Sequence, residues 1–167
     1  MSLQSTKKPV GYHLLAPRRR STIARAALWL GAASVLAIGV VHIQQFYSAD
    51  YSTVPTIGTL FFLNFVSAVI IAVGLVAPLG RVAGRYAEAI RALFALGGIG
   101  MAVLSLAALF ISESSGLFGF VEHGYRTAIV LAIVAEVAAT VFLVIFLVAN
   151  GTGLQTIRQR VPVSPTR

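Results

Sequence analysis

Four apolar blocks constrain this chain more than any other feature: residues 23–46, 57–77, 89–111 and 127–149. Each holds roughly 21–24 residues, and a helix rising about 1.5 Å per residue needs about 20 to cross a hydrocarbon core about 30 Å thick. Arg25 and Arg91 lie near the inner edges of the first and third blocks, where long basic side chains can snorkel to headgroups. Only Glu136 is a charge-capable residue deep inside a block. The blocks predict an all-α protein, a four-helix transmembrane bundle.

Composition agrees. Apolar residues make up 57% of the 167 and charged residues 11%, against about 45–50% and about 25% in an average soluble domain. An ordinary water-soluble domain is excluded, and so is disorder, which requires few apolar residues. The chain has no cysteine, which removes disulfide frameworks, thiolate zinc sites, iron–sulfur clusters and covalently attached haem.

The distribution of bases predicts orientation. Twelve of the thirteen Lys and Arg precede or open the first span, cluster between the second and third or at the start of the third, or follow the fourth. Glu88 is the only acid among them, whereas the opposite side carries Asp50, Glu113 and Glu122 against Arg126. Bases accumulate in short cytoplasmic loops, so an up-down-up-down bundle with both termini cytoplasmic is expected, multi-pass in a bacterial plasma (cytoplasmic) membrane. The pI of about 10.9 then reflects topology and attraction to anionic headgroups, and no nucleic-acid partner is expected. The basic start followed by the apolar run 26–41 resembles a secretion signal. That run exceeds the 7–15 residues of a cleaved signal, so it reads as an uncleaved first helix.

Three segments are expected: a basic, disordered cytoplasmic arm (1–21), a membrane domain (22–150) and a basic cytoplasmic tail (151–167). Thr53 or Thr56 is placed to cap the second helix, with Pro55 at its start. Pro78 and Gly80 should close that helix. In the second outer loop, Phe118 and Phe120 can dip into the outer leaflet or fold over the bundle mouth. Tyr12, Tyr47, Tyr51, Tyr86, Tyr125 and Trp29 fit interfacial belts. Membrane helices associate through small residues, and three stripes qualify: Gly31, Ala33 and Ala37; Gly97, Gly98, Gly100 and Ala102; and Ala128, Ala132, Ala135 and Ala139.

Glu136 is the sharpest functional signal. It lies about 15 Å from the outer end of its helix, near the bilayer midplane. An acid there costs at least about 2.5 kcal/mol on insertion scales and normally faces the bundle interior. Protonated, its carboxyl can donate to Asn64 or Ser67 of the second helix or Ser105 of the third, as packing or as a proton- or ligand-linked group. His42 and His123 fall on the same outer side, and two imidazoles there are candidates for metal or haem ligation. Hydrogen bonding to loops or water is their simpler role. Asn64 reads as interhelical glue. No nucleophile–base–acid set, nucleophile elbow or carboxylate pair occurs, so no catalytic residue and no resident cofactor are expected.

Two segments carry a resemblance: Val54-Pro55-Thr56-Ile57-Gly58-Thr59-Leu60-Phe61-Phe62-Leu63-Asn64, and Gly116-Leu117-Phe118-Gly119-Phe120 followed by Glu122. With His42 before the first and Glu136 after the second, the chain resembles functionally uncharacterised small four-span integral membrane proteins of high-GC Gram-positive bacteria. The likeness spans about residues 25–150 and implies only the architecture and a plasma-membrane location. It also singles out His42, Pro55, Asn64, Phe118, Glu122 and Glu136 as one outer-leaflet group.

The leading functional expectation is a non-enzymatic membrane protein, either an accessory or assembly subunit or a bundle binding a lipid-like ligand. Alternatives are a proton-coupled transporter using Glu136, which would need a homo-oligomer or larger complex, and a haem- or quinone-linked redox subunit.

Overall fold

A computed structural model describes residues 17–119, 121 and 127–158, with side chains for 22–119, 121 and 127–151. Four long helices dominate: α1 (Pro17–Ser48), α2 (Ile57–Val76), α3 (Ala87–Ser114) and α4 (Thr127–Arg158). The expected all-α bundle is what the chain forms, and no strand occurs among the described residues. All four helices are long and apolar enough to cross a membrane, over Thr22–Ser48, Ile57–Val76, Gly84–Ser114 and Thr127–Gly151. Only 17 to 39% of each span's most apolar window is buried inside the protein. The remainder presents Leu, Val and Ile outward on every helix, with Phe62 on α2 and Phe110 on α3. In water so large an apolar surface drives association; in hydrocarbon it is the solvated face. The chain is a multi-pass membrane protein.

Helix ends follow local chemistry. α1 opens on Pro17, where the missing N–H costs nothing, so helix begins ahead of the apolar block. α4 likewise runs past its block to Arg158. α2 stops at Val76, before Pro78. A single helical turn, Leu79–Val82, and a 3-10 turn, Gly84–Tyr86, lead into α3. The expected capping of α2 is not what forms. Thr56 precedes the helix with φ +67° and no side-chain cap, while the Thr53 hydroxyl donates to Asp50 O at 2.7 Å.

Each helix packs against its neighbours in chain order, and α4 closes the ring onto α1. α1–α4 and α1–α2 are the extensive interfaces; α2–α3 is the thinnest, α1 and α3 only graze across one diagonal, and α2 and α4 do not meet across the other. We call the end bearing the α1–α2 and α3–α4 connections the mouth and the opposite end the base.

The base half is solid. Val35, Ile38, Ala68, Leu75, Ala95, Ala102, Ala139 and Leu143 are buried in one cluster. Leu143 is wedged between two glycines, since an added Cβ would meet its Cδ2 at 2.6 Å from Gly31 and its Cδ1 at 2.7 Å from Gly98. Gly39 admits Ala68 of α2, and Gly74 admits the Phe94 ring of α3. The small-residue sets thus need correction on α3, where Gly98 and Ala102 are buried but Gly97 is exposed and Gly100 has nothing packed against it, and on α1. Gly31 packs inward as expected, but Ala33 and Ala37 are exposed and Ala32, Val35, Ile38 and Gly39 form the contact face.

Arg91 does not snorkel. Its Nε donates to Leu75 O and its Nη2 to Ala77 O, both at 3.1 Å, satisfying carbonyls at the end of α2 that a helix terminus leaves open. Its Nη1 pairs with Glu88 Oε1 at 2.9 Å, and Asn150 Nδ2 donates to Glu88 Oε2 at 2.8 Å. This polar clasp fastens α2, α3 and α4 at the base.

Candidate ligand cavity

The mouth half is hollow. A cavity of about 350 Å³ lies between all four helices. Its wall is mostly apolar, from residues such as Leu60, Phe61, Met101, Ala108 and Ile129, with Tyr51 and Leu117 from the connections closing over it. Leu117, and not Phe118, does the covering. Phe118 is 68% exposed, and Phe120 lies outside the described residues.

Glu136 stands where the hollow half meets the solid one, about 14 Å along α4 from Thr127 at the helical rise. It lines the cavity and is only 1% exposed. The inward orientation follows from its register with Ala139, fully buried one turn on. The Thr140 hydroxyl donates to the Glu136 backbone carbonyl at 2.9 Å.

Of the three partners expected for the acid, Ser105 of α3 is the one engaged. Ser105 Oγ also lies 3.3 Å from His42 Nε2, and His42 Nδ1 lies 2.9 Å from Ile38 O. The donors can be assigned along this line. A carbonyl only accepts, so Nδ1 carries the proton, and Nε2 of the neutral ring accepts from Ser105. With its hydrogen committed, Ser105 can only accept from Glu136. A neutral carboxylic acid satisfies that polarity, in keeping with the large cost of burying an unpaired charge.

His42 therefore sits inside the bundle and not at an interface with loops. Its ring lies 4.9 Å from that of Phe61, which stacks on Tyr51 at 4.7 Å and 23°. Tyr51 is buried, so it belongs to the cavity wall, whereas Trp29, Tyr47 and Tyr86 are exposed as belt residues are. Sequence reading did not single out Phe61. Its place one helical turn before Asn64, and so on the same face, was the available signal.

Asn64 lines the same cavity but glues no helices together: its Oδ1 is buried and has no hydrogen-bond partner among the described residues. Glu136 Oε2 is in the same condition. Of the six residues grouped by resemblance, His42, Asn64 and Glu136 converge on the cavity, while Pro55 and Phe118 do not line it. Glu122 and His123 lie outside the described residues. Among the described residues no three His, Cys, Asp or Glu side chains group to hold a metal, and both ring nitrogens of His42 are engaged.

No protein-family description, no curated protein and no solved structure matches this chain.

Proposed function

We propose that this protein is a non-enzymatic membrane bundle that holds a lipid-like ligand in the outer half of a bacterial plasma membrane, alone or as an accessory subunit of a larger complex. The observation that carries the reading is the mouth cavity, apolar over most of its wall and lined by two buried, unpartnered oxygens, Glu136 Oε2 and Asn64 Oδ1. Apolar walls with a few convergent polar groups are the general form of small-molecule sites, and about 350 Å³ falls within their size range. The basic segments at the base suit anionic cytoplasmic headgroups, which supports a mouth on the outer side.

The hydrogen-bonded line from Glu136 through Ser105 to His42 favours proton-coupled transport as a second reading. Binding is preferred because, among the described residues, the buried polar side chains go no deeper than Glu136. The buried polar side chains among the described residues are His42, Ser112 and Glu136, all lining the mouth cavity, and a closed apolar core fills the base half. A transporter needs a path through both halves.

Native mass spectrometry of protein released from its own membranes in mild detergent tests the reading. Wild-type protein should carry a defined adduct that Ala132→Phe, which fills the cavity, loses. Identical adducts on both proteins, or none on either, would contradict it.

A further inference from the structure

The two unpartnered oxygens constrain the ligand's head. Glu136 is 99% buried, its other oxygen is taken by Ser105, and Oε2 is left without a donor at the cavity wall. Asn64 Oδ1 is a second acceptor lacking a donor. Folded proteins rarely leave such atoms unsatisfied, so the occupant has to donate. Among the described residues no Lys or Arg lines the cavity. A phosphate or carboxylate head would therefore be desolvated beside an acid with no counter-charge, which is strongly unfavourable. The Tyr51, Phe61 and His42 rings add a flat wall.

The ligand's body has a way out. Leu60 and Leu63 of α2 and Leu104 of α3 line the cavity and are also exposed on the outer surface, Leu104 by 71%. The α2–α3 seam is held at the base by Phe94 against Gly74 and by the Arg91 clasp. At the mouth these leucines face both cavity and hydrocarbon, so an apolar tail can leave sideways between α2 and α3.

We infer that the cavity selects a neutral amphiphile whose head donates hydroxyl hydrogen bonds, a hydroquinone or a long-chain alcohol, with its tail directed between α2 and α3. The inference rests on the ligand-binding reading and specifies its chemistry. Glu136 Oε2 and Asn64 Oδ1 accept from the hydroxyls, and an anionic phospholipid is rejected.

The test uses delipidated full-length protein in detergent, with a decyl hydroquinone, its dimethyl ether, dodecanol and phosphatidylglycerol as probes. Binding is read by native mass spectrometry and ligand-induced thermal shift. The hydroquinone should bind about tenfold more tightly than the ether, which offers no donor. The gap should narrow to about twofold in Asn64→Leu and in Glu136→Met, each checked for a cooperative unfolding transition. Dodecanol binding as tightly as the hydroquinone would identify an aliphatic alcohol, and weaker binding would identify the ring; either supports the class. Equal affinity for hydroquinone and ether, or displacement of the hydroquinone by phosphatidylglycerol, would overturn the inference while leaving a ligand-binding cavity. Failure of every probe together with an adduct-free wild-type protein would remove both.

Discussion

Ser105 Oγ lies 3.3 Å from His42 Nε2, joining α1 to α3 across a diagonal on which those helices otherwise barely touch. The same hydroxyl engages Glu136 of α4. One serine thus ties three helices together at the floor of the cavity, and the polar line holds open a space that apolar packing fills elsewhere.

Ser105→Ala should break this line and leave Nε2 of His42 and the Glu136 carboxyl without their partner. The expected loss is about 1–3 kcal/mol of stability, read by thermal or denaturant unfolding in detergent. Ser105→Thr, which keeps the hydroxyl, should lose less. Infrared spectra at neutral pH should show a protonated carboxylic C=O band that shifts in Ser105→Ala and disappears in Glu136→Gln.

Leu143 is hemmed in on two sides, with Gly31 against one methyl and Gly98 against the other. Gly31→Val should overpack the α1–α4 interface by about 1–3 kcal/mol. Combining it with Leu143→Ala should cost clearly less than the sum of the two single changes, because neighbours sharing one space do not add. A double-mutant cycle by chemical denaturation measures this coupling.

The base clasp should depend on the planar guanidinium of Arg91, which bonds two carbonyls and Glu88 together. Arg91→Ala and Arg91→Lys should both destabilise, since an ammonium cannot reproduce the fork. Glu88→Gln should be nearly silent, as exposed ion pairs contribute little. Melting temperatures of the three variants in one detergent decide the order.

The absence of cysteine makes single-cysteine scanning clean. In intact cells an impermeant thiol reagent should label Ser52→Cys at the mouth, and Gly80→Cys at the base only after lysis. The reverse pattern would overturn the orientation read from the bases. With a small membrane-permeant reagent, Ala132→Cys in the cavity wall should react and Ala139→Cys in the closed core should not.

Much of this architecture was legible in the sequence because hydrocarbon imposes length and apolarity on every span, and the four blocks meet both demands. Glu136 was legible for the same reason, being costly anywhere but the interior. Which partner it takes was not, since Asn64, Ser67 and Ser105 share its depth and only the crossing of the helices selects Ser105. Arg91 misled because snorkelling is the default for a base at a span end, and the competing carbonyls of Leu75 and Ala77 come from a different helix. Ala33 and Ala37 misled because small residues alone do not reveal which face of α1 turns inward. The cavity is the least legible feature of all. It lies on the mouth side of Glu136, away from the close approach of Phe94 to Gly74 that joins α2 and α3 at the base.

A high-resolution structure of the protein in lipid nanodiscs prepared from its own membranes tests the central claim most directly. The account predicts density for an elongated molecule in the mouth cavity, its head within hydrogen-bonding distance of Glu136 Oε2 and its tail between Leu63 and Leu104. A mouth half closed by inward movement of α2 and α3, with Glu136 bonded only to protein groups, would contradict it.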